Sequence, residues 1–379
     1  MEEQKTKKSL IDGIVLIAIT LAIALLVVNN FMLYDRGIKV AEAKEAMEEQ
    51  LRPAELQIIK LTSSNCESCF DVEDAVEGLK NQNVNIASKE TIASDSTQGK
   101  ELISRYNIQK LPTIIVSGEI NKSEQLANYF ESKGEILEGK FIYTSLIPPY
   151  LEVSSNRIRG KVKIKHLVDS SCEKCTDLSS ISEVLKEQGV FIDDETSIEY
   201  NSDEGQQLIS QAGVKKVPAV LVSDEVGYYT EVKDALEQSE TTKRGGFYAV
   251  YSSLPPYRDL SQNKVIGLVD VVYLSKGDCS TCHNASVNRN ILLNFGVALN
   301  DEKTYDINSQ KGKQLVEQYS IKKVPMVILS PDAKYYPSLE QAWKSVGTVE
   351  DDGWFVMRNS EVLGTYWDIE KNKTIEIAY

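Results

Sequence analysis

The sequence predicts an α/β protein in which three tandem copies of one module, each a central mixed sheet flanked by helices, follow an N-terminal transmembrane helix and a helical stalk. Three observations carry this expectation. All six cysteines fall into three C-x-x-C pairs, Cys66/Cys69, Cys172/Cys175 and Cys279/Cys282, whose first members are 106 and 107 residues apart. A proline follows each first cysteine by 46 residues, at Pro112, Pro218 and Pro325, within "YNIQKLPT", "AGVKKVPA" and "YSIKKVPM". Near the N-terminus, "IVLIAITLAIALLVV" forms an apolar run.

With its apolar flanks, that run reaches the roughly 20 residues a bilayer span needs, so residues 10–33 are expected to cross a membrane. A cleaved signal peptide is the rival, but its small-x-small candidate, Ala41-Glu42-Ala43, lies far beyond the run. Lys5, Lys7 and Lys8 cluster in the tail 1–9 and favour a cytoplasmic N-terminus, although Arg36, Lys39 and Lys44 stand on the other side. The expectation is a single-pass protein of the cell membrane with extracytoplasmic C-terminal domains. Residues 34–53 have the Ala/Glu/Lys content of a solvated helical stalk ended by Pro53. The net charge is −14 and residues 1–34 contribute nothing to it, so the remainder is strongly acidic. Nucleic acid and anionic lipid surfaces are thereby disfavoured as partners.

The repeats are expected at 54–158, 159–263 and 264–379. Each begins with a β-rich run ("LQIIKL", "KVKIKHLV", "VIGLVDVVYL") that leads into the cysteine pair, and the pair is expected to open a helix. In the second repeat Leu178, Ile181 and Leu185 recur at helical spacing. A second strand ("NVNI", "GVFI", "GVAL") precedes a helix headed by Gly99, Gly205 or Gly312. The prolines precede third strands "TIIVS", "AVLVS" and "MVILS", and a short fourth strand and a helix such as "VKDALEQ" complete the order β-α-β-α-β-β-α. The segments "FIYTSLIPPYLEV" and "FYAVYSSLPPYRDL", matched loosely by "WFVMRNSEVLGTYWDI", read as an extra strand pair linking modules, with no function assigned.

The cysteines admit several chemistries. "CSTCH" at 279–283 has the spacing of covalent haem attachment, but Phe70 and Thr176 occupy the histidine's position in the other repeats, so His283 reads as an ordinary surface or first-turn residue. A four-sulfur zinc site would need pairs from two modules and leave the third pair over, and His166 and His283 are the chain's two histidines. No metal or cofactor is therefore expected. Static disulfides of this spacing close loops too short to stabilise much. Thiol–disulfide exchange needs an attacking thiolate and a second thiol to resolve the mixed disulfide, and C-x-x-C supplies both. A helix N-terminus would lower the first cysteine's pKa.

A strand, a C-x-x-C at a helix start and the segment "[YA]-x-[IV]-x-K-[LV]-P" together resemble the thioredoxin superfamily, three times over in residues 54–379. "VVYLSKGDCSTC" is similar to its glutaredoxin and tandem protein disulfide oxidoreductase branch. The resemblance implies a thiol–disulfide oxidoreductase in which Cys66, Cys172 and Cys279 attack while Cys69, Cys175 and Cys282 resolve. It implies cis prolines at Pro112, Pro218 and Pro325. It also implies that Leu111, Val217 and Val324 before them receive an extended protein substrate by strand addition. No cysteine lies in the span, so a membrane or soluble redox partner must recycle the sites.

Departures are plain: no tryptophan precedes the first cysteines, and Lys60, His166 and Tyr273 stand where thioredoxins bury an acid. Lys110, Lys216 and Lys323, two residues before each proline, are candidates for a place beside the thiolate. Charges within a window around each pair sum to −3, −2 and 0, which predicts a rising oxidising power from the first repeat to the third. The alternative function is a redox-inert thioredoxin-like scaffold or protein-binding ectodomain with structural disulfides.

Overall fold

In the computed structural model, residues 2–377 are described, with side chains from residue 20 onward. Met1 of the expected tail, the side chains of Lys5, Lys7 and Lys8, and Ala378 and Tyr379 lie outside the described residues. Helix α1 (Glu2–Leu51) runs unbroken from the expected span into the expected stalk, and Pro53 follows its end. Its segment Thr20–Leu51 is long and apolar enough to cross a membrane. Leu25, Leu26, Phe31 and Leu33 are all exposed on it, so no protein surface buries them. The stalk ends on the first repeat, where Arg52 donates to Glu119 Oε2 at 2.7 Å.

The first repeat contains β1 (Ala54–Thr62), α2 (Val72–Lys80), β2 (Val84–Ala93) and α3 (Thr97–Arg105). A short β3 (Lys110–Leu111) passes through Pro112 into β4 (Thr113–Gly118), followed by α4 (Glu124–Lys133). Two hairpins close the repeat, β5 (Gly134–Leu137) with β6 (Lys140–Tyr143) and β7 (Tyr150–Glu152) with β8 (Arg157–Arg159).

The second repeat follows the same order, with β9 (Val162–Val168), α5 (Ser180–Glu187), β10 (Ile192–Glu199), α6 (Asp203–Ala212), β11 (Lys216–Val217), β12 (Ala219–Ser223) and α7 (Thr230–Gln238). Its hairpins are β13 (Thr242–Arg244) with β14 (Phe247–Tyr251) and β15 (Tyr257–Asp259) with β16 (Lys264–Ile266). The third comprises β17 (Leu268–Ser275), α8 (Val287–Asn294), β18 (Ala298–Asp306), α9 (Gln310–Gln318), β19 (Lys323–Val324), β20 (Met326–Leu329) and α10 (Pro337–Val346). Its hairpins are β21 (Gly347–Val349) with β22 (Phe355–Met357) and β23 (Tyr366–Asp368) with β24 (Lys373–Ile375).

Each repeat builds one five-stranded mixed sheet, ordered β2-β1-β4-β6-β5 in the first and correspondingly in the others. β1 and β2 are parallel, joined over the sheet by α2, and β4 is antiparallel to β1. The third strands are continuous apolar runs because both faces are covered: in β4, Ile114 and Val116 face a core shared with α2 and α4, while Ile115 faces the opposite core. This is a thioredoxin-like fold, present three times. The chain divides into two compact parts, Met1–Ile158 and Arg159–Tyr379, the second holding the second and third sheets.

Two expectations are corrected. The fourth strand does not precede the last helix; β12 leads directly through a 3-10 turn, Asp224–Tyr228, into α7. The missing sheet strand comes instead from the supposed linker, since "FIY" lies in β6 and "FYAVY" forms β14, against β4 and β12. The reason is burial: β4 is wholly apolar over Ile114–Val116, and its edge away from β1 needs a partner.

The repeated glycines also gain an account. Ser96, Ser202 and Ser309 cap α3, α6 and α9, each accepting from the N–H of the repeated glycine. A Cβ on Gly99, Gly205 or Gly312 would stand 2.0–2.2 Å from the carbonyl oxygen of Ala93, Glu199 or Asp306. The helix start is pressed against the end of the preceding strand, and lack of a side chain permits it.

Candidate active site

The three cysteine pairs occupy the same place in each repeat, a turn after the first strand. Cys66–Cys69, Cys172–Cys175 and Cys279–Cys282 are disulfide-bonded, with Cα separations of 5.3, 5.4 and 5.5 Å, and all six residues are part-exposed. The pairs do not open the helices. The residue two places after the second cysteine is Asp71, Asp177 or Asn284, and its side chain accepts from the backbone N–H of Glu73, Ser179 or Ser286. In the first repeat this bond is the N-cap of α2, which begins at Val72, whereas in the others it closes a turn ahead of α5 and α8, which begin at Ser180 and Val287. Cys66 therefore lies six residues before its helix, and Cys172 and Cys279 eight before theirs, so the dipole acts on them more weakly than the sequence suggested.

The peptide bonds before Pro112, Pro218 and Pro325 are cis, as are those before Pro149 and Pro256. Pro218 lines a cleft of about 440 Å³ with Cys172 and Cys175, and Pro325 one of about 500 Å³ with Cys279 and Cys282. Leu111, Val217 and Val324 are buried. Their backbone is already engaged. Leu111 pairs with Leu151, Val217 with Arg258 and Val324 with Trp367, all antiparallel. Val153, Leu260 and Ile369 donate to the carbonyls of Gln109, Lys215 and Lys322 at 2.9, 3.0 and 2.8 Å. By the alternation of antiparallel ladders, the three pairs are therefore hydrogen-bonded ones, in which both N–H and C=O are used.

The segments without an assigned role are thus what closes each site. Their carbonyls at Pro149, Pro256 and Thr365 accept from the N–H directly after the second cysteine, at Phe70, Thr176 and His283, over 2.8, 3.2 and 3.0 Å. Lys110, Lys216 and Lys323 lie over the rings of Tyr150, Tyr257 and Tyr366 at 4.6, 4.5 and 5.3 Å. These lysines hold the hairpin; Lys216 also donates to Ser252 O at 2.8 Å, and burial pulls its amine below the ordinary range. In the third repeat Thr374 Oγ1 on β24 reaches Cys279 Sγ at 3.6 Å.

Acids do stand at Lys60, His166 and Tyr273, supplied by other elements. Lys60 pairs with Glu73 of α2, His166 Nε2 meets Glu195 Oε1 of β10 at 2.9 Å, and Tyr273 donates to Glu302 Oε2 of β18 at 2.9 Å. Hydrogen bonds from Lys60 and Lys89 hold the Glu73 carboxyl low, and those from Ser182 and His166 do the same for Glu195. Burial, reinforced by Glu302, pushes the Tyr273 hydroxyl up. Glu195 and Glu302 line the same clefts as the cysteines of their repeats. Glu73 stands within the charge window of the first pair, but Glu195 and Glu302 come from the neighbouring strand, where no window around the cysteines could reveal them.

The charge gradient shrinks for the same reason. Lys60 and Lys89 offset Glu73, and Arg258 of β15 pairs with Asp169 at 2.8 Å, three residues before Cys172. Lys174, between the second pair's cysteines, donates to the carbonyls of Leu299 and Asn300 on β18 at 2.8 and 2.9 Å.

His283 is not a surface histidine. Its ring Nδ1 lies 3.1 Å from Thr365 O, so Nδ1 carries the proton, and its Nε2 is buried without a hydrogen-bond partner among the described residues. Burial lowers its pKa below the ordinary value. The unfolded chain therefore takes up a proton that the native state resists. The third repeat should be at full stability above pH about 6.5 and lose it as pH falls from there through the folded pKa. Urea unfolding between pH 7.5 and 5 should show this loss, and His283→Phe, which copies Phe70, should flatten it. An unchanged slope in the variant would assign the pH dependence elsewhere.

No family model matches the chain, and no curated protein is similar to it. Among solved structures, it aligns with a crystal structure of ERdj5 at 15% identity and a TM-score of 0.13, over 73% of this chain and 38% of that one. Human ERp44 aligns at 11% identity and a TM-score of 0.13, over 84% and 95% of the two chains. The Enterococcus faecalis (V583) alkylhydroperoxide reductase component AhpF, as a C503A mutant, aligns at 17% identity and a TM-score of 0.14, over 45% and 82%. The chain spans about two fifths of the ERdj5 structures it matches. At these scores the likenesses carry no argument, and the fold assignment rests on the chain's own sheet order.

Proposed function

We propose that this chain is a membrane-anchored thiol–disulfide oxidoreductase that acts on protein disulfides and dithiols through three sites, one in each of the domains 54–158, 159–263 and 264–379. The observation that carries the reading is recurrence: a part-exposed C-x-x-C pair stands after the first strand in every repeat, held to the proline-led segment by the same hairpin. Cys66, Cys172 and Cys279 serve as nucleophiles and Cys69, Cys175 and Cys282 as resolving thiols. In the reductive direction, the first thiolate bonds to one substrate sulfur and the other sulfur leaves, taking a proton. The second cysteine then attacks the first, which closes the protein disulfide and releases the remaining substrate thiol. Two electrons pass to the substrate, and a dithiol partner returns them. Glu195 and Glu302, which line the same clefts as the cysteines of their repeats, serve in this reading as the groups that exchange protons with the sulfurs.

Full-length protein in detergent should accelerate reduction of insulin by dithiothreitol. A variant with all six cysteines changed to serine should fall to the uncatalysed rate; equal rates for the two proteins would leave the scaffold reading in its place. The anchor is tested separately. The chain should stay in the membrane pellet through alkaline carbonate extraction, and protease added outside intact cells should remove residues 54–379. Release into the supernatant would mark α1 as something other than a span.

A further inference from the structure

We propose that the three sites take disulfides that arrive by side chain alone, whether small-molecule disulfides or those exposed on a compact protein, and not extended polypeptides docked by strand pairing. This rests on the exchange activity proposed above and narrows its substrate class.

An extended chain gains affinity beside a sulfur by adding to a free strand edge, where its N–H and C=O groups find partners. The strands that lead into Pro112, Pro218 and Pro325 offer none on the side of β7, β15 and β23, because Leu111, Val217 and Val324 already exchange both backbone hydrogen bonds with Leu151, Arg258 and Trp367. Their opposite side is short. Each strand is two residues long, so the outward groups belong to Lys110, Lys216 or Lys323, and the proline that follows has no N–H to donate.

The outer edges of the hairpins, β8, β16 and β24, are three residues each and carry Arg157 and Arg159, Lys264 and Lys373, and short charged edges of this kind resist pairing. The hairpin is also fixed rather than resting on the surface. Its carbonyl accepts from the residue after the second cysteine, a lysine lies over its tyrosine, and Leu151 sits in the core of its repeat. Displacing it would break all of these together. What stays open is the part-exposed sulfur and, in the second and third repeats, a cleft of about 440 and 500 Å³.

The test uses full-length protein in detergent with Cys69, Cys175 and Cys282 changed to serine, loaded at Cys66, Cys172 and Cys279 through chemically activated disulfides. One sample carries a cysteine decapeptide and the other 2-mercaptoethanol. Chemical activation loads the sulfurs whether or not the protein turns over, so a failed insulin assay would leave this result readable. Hydrogen–deuterium exchange is followed at 109–111, 150–159, 257–266 and 366–375. The expected result is that the decapeptide and mercaptoethanol samples exchange within about twofold of one another at every segment. Tenfold faster exchange in a hairpin of the peptide sample, or new protection at 109–111 or at a hairpin's outer strand, would show strand docking and overturn the proposal.

Discussion

Replacing Arg258 by alanine should destabilise the second repeat by about 3–5 kcal/mol, the range expected when one partner of a buried ion pair is removed. The Asp169 side chain is 1% exposed and that of Arg258 14%, with Nε and Oδ2 at 2.8 Å. The guanidinium also donates to Ser171 Oγ at 3.1 Å and to Asn263 O at 3.1 Å, and lies 5.1 Å from the Tyr200 ring centre. Without it the Asp169 carboxylate stays buried with Ser171 as its remaining side-chain donor. The cost falls on the link between the cysteine turn and hairpin β15–β16, because Arg258 is the side chain that joins them. Urea unfolding of the full chain, followed through the transition of residues 159–379, reads the effect. The double variant Asp169→Asn with Arg258→Ala should recover part of the loss, since it leaves no buried charge. A loss below about 1 kcal/mol in the single variant would mean that water reaches the pair.

Gly205→Ala should cost about 3 kcal/mol, although alanine is the better helix former by about 1 kcal/mol. The glycine lies in the first turn of α6, where propensity alone predicts a gain. Its Cβ would stand 2.2 Å from Glu199 O and 2.9 Å from Tyr200 O, both backbone atoms of the strand end that the helix must follow. Neither can rotate away, so the helix start or the end of β10 has to shift. Gly99 and Gly312 face the same clash with Ala93 and Asp306, and their alanine variants should behave alike. Gly227, where nothing lies within 4 Å of a Cβ, is the control and should be near neutral. A stabilised Gly205→Ala variant would mean that the helix can lift off the strand without loss.

How much was legible in the sequence follows from which features are local. The spacing of Cys66, Cys172 and Cys279, the prolines at a fixed offset and the recurrent apolar runs determined by themselves that one module occurs three times. The resemblance those motifs carry implied, in addition, a site that combines a C-x-x-C with a proline-led segment. Those patterns are written in single stretches, and the period of each reports the element that made it. The apolar run at residues 14–28 likewise marked a helix with no protein surface to cover it.

What tertiary structure decided is whatever joins distant stretches. Whether "FIYTS" links modules or completes a sheet depends on which edge of β4 lacks a partner, and that is visible only once the sheet is assembled. The acids beside Lys60, His166 and Tyr273 come from α2, β10 and β18, and Arg258 reaches Asp169 across 89 residues. A charge sum over neighbouring letters counts Glu73 but misses the Lys60 and Lys89 that offset it, and it misses Glu195, Glu302 and Arg258 altogether, because Coulomb energy depends on distance in space and not along the chain. The role of Lys110, Lys216 and Lys323 was settled in the same way. Their recurrence could be read, but the tyrosine rings they cover lie about 40 residues further on, in hairpins whose pairing with the strand before the proline decides what the sulfurs can meet.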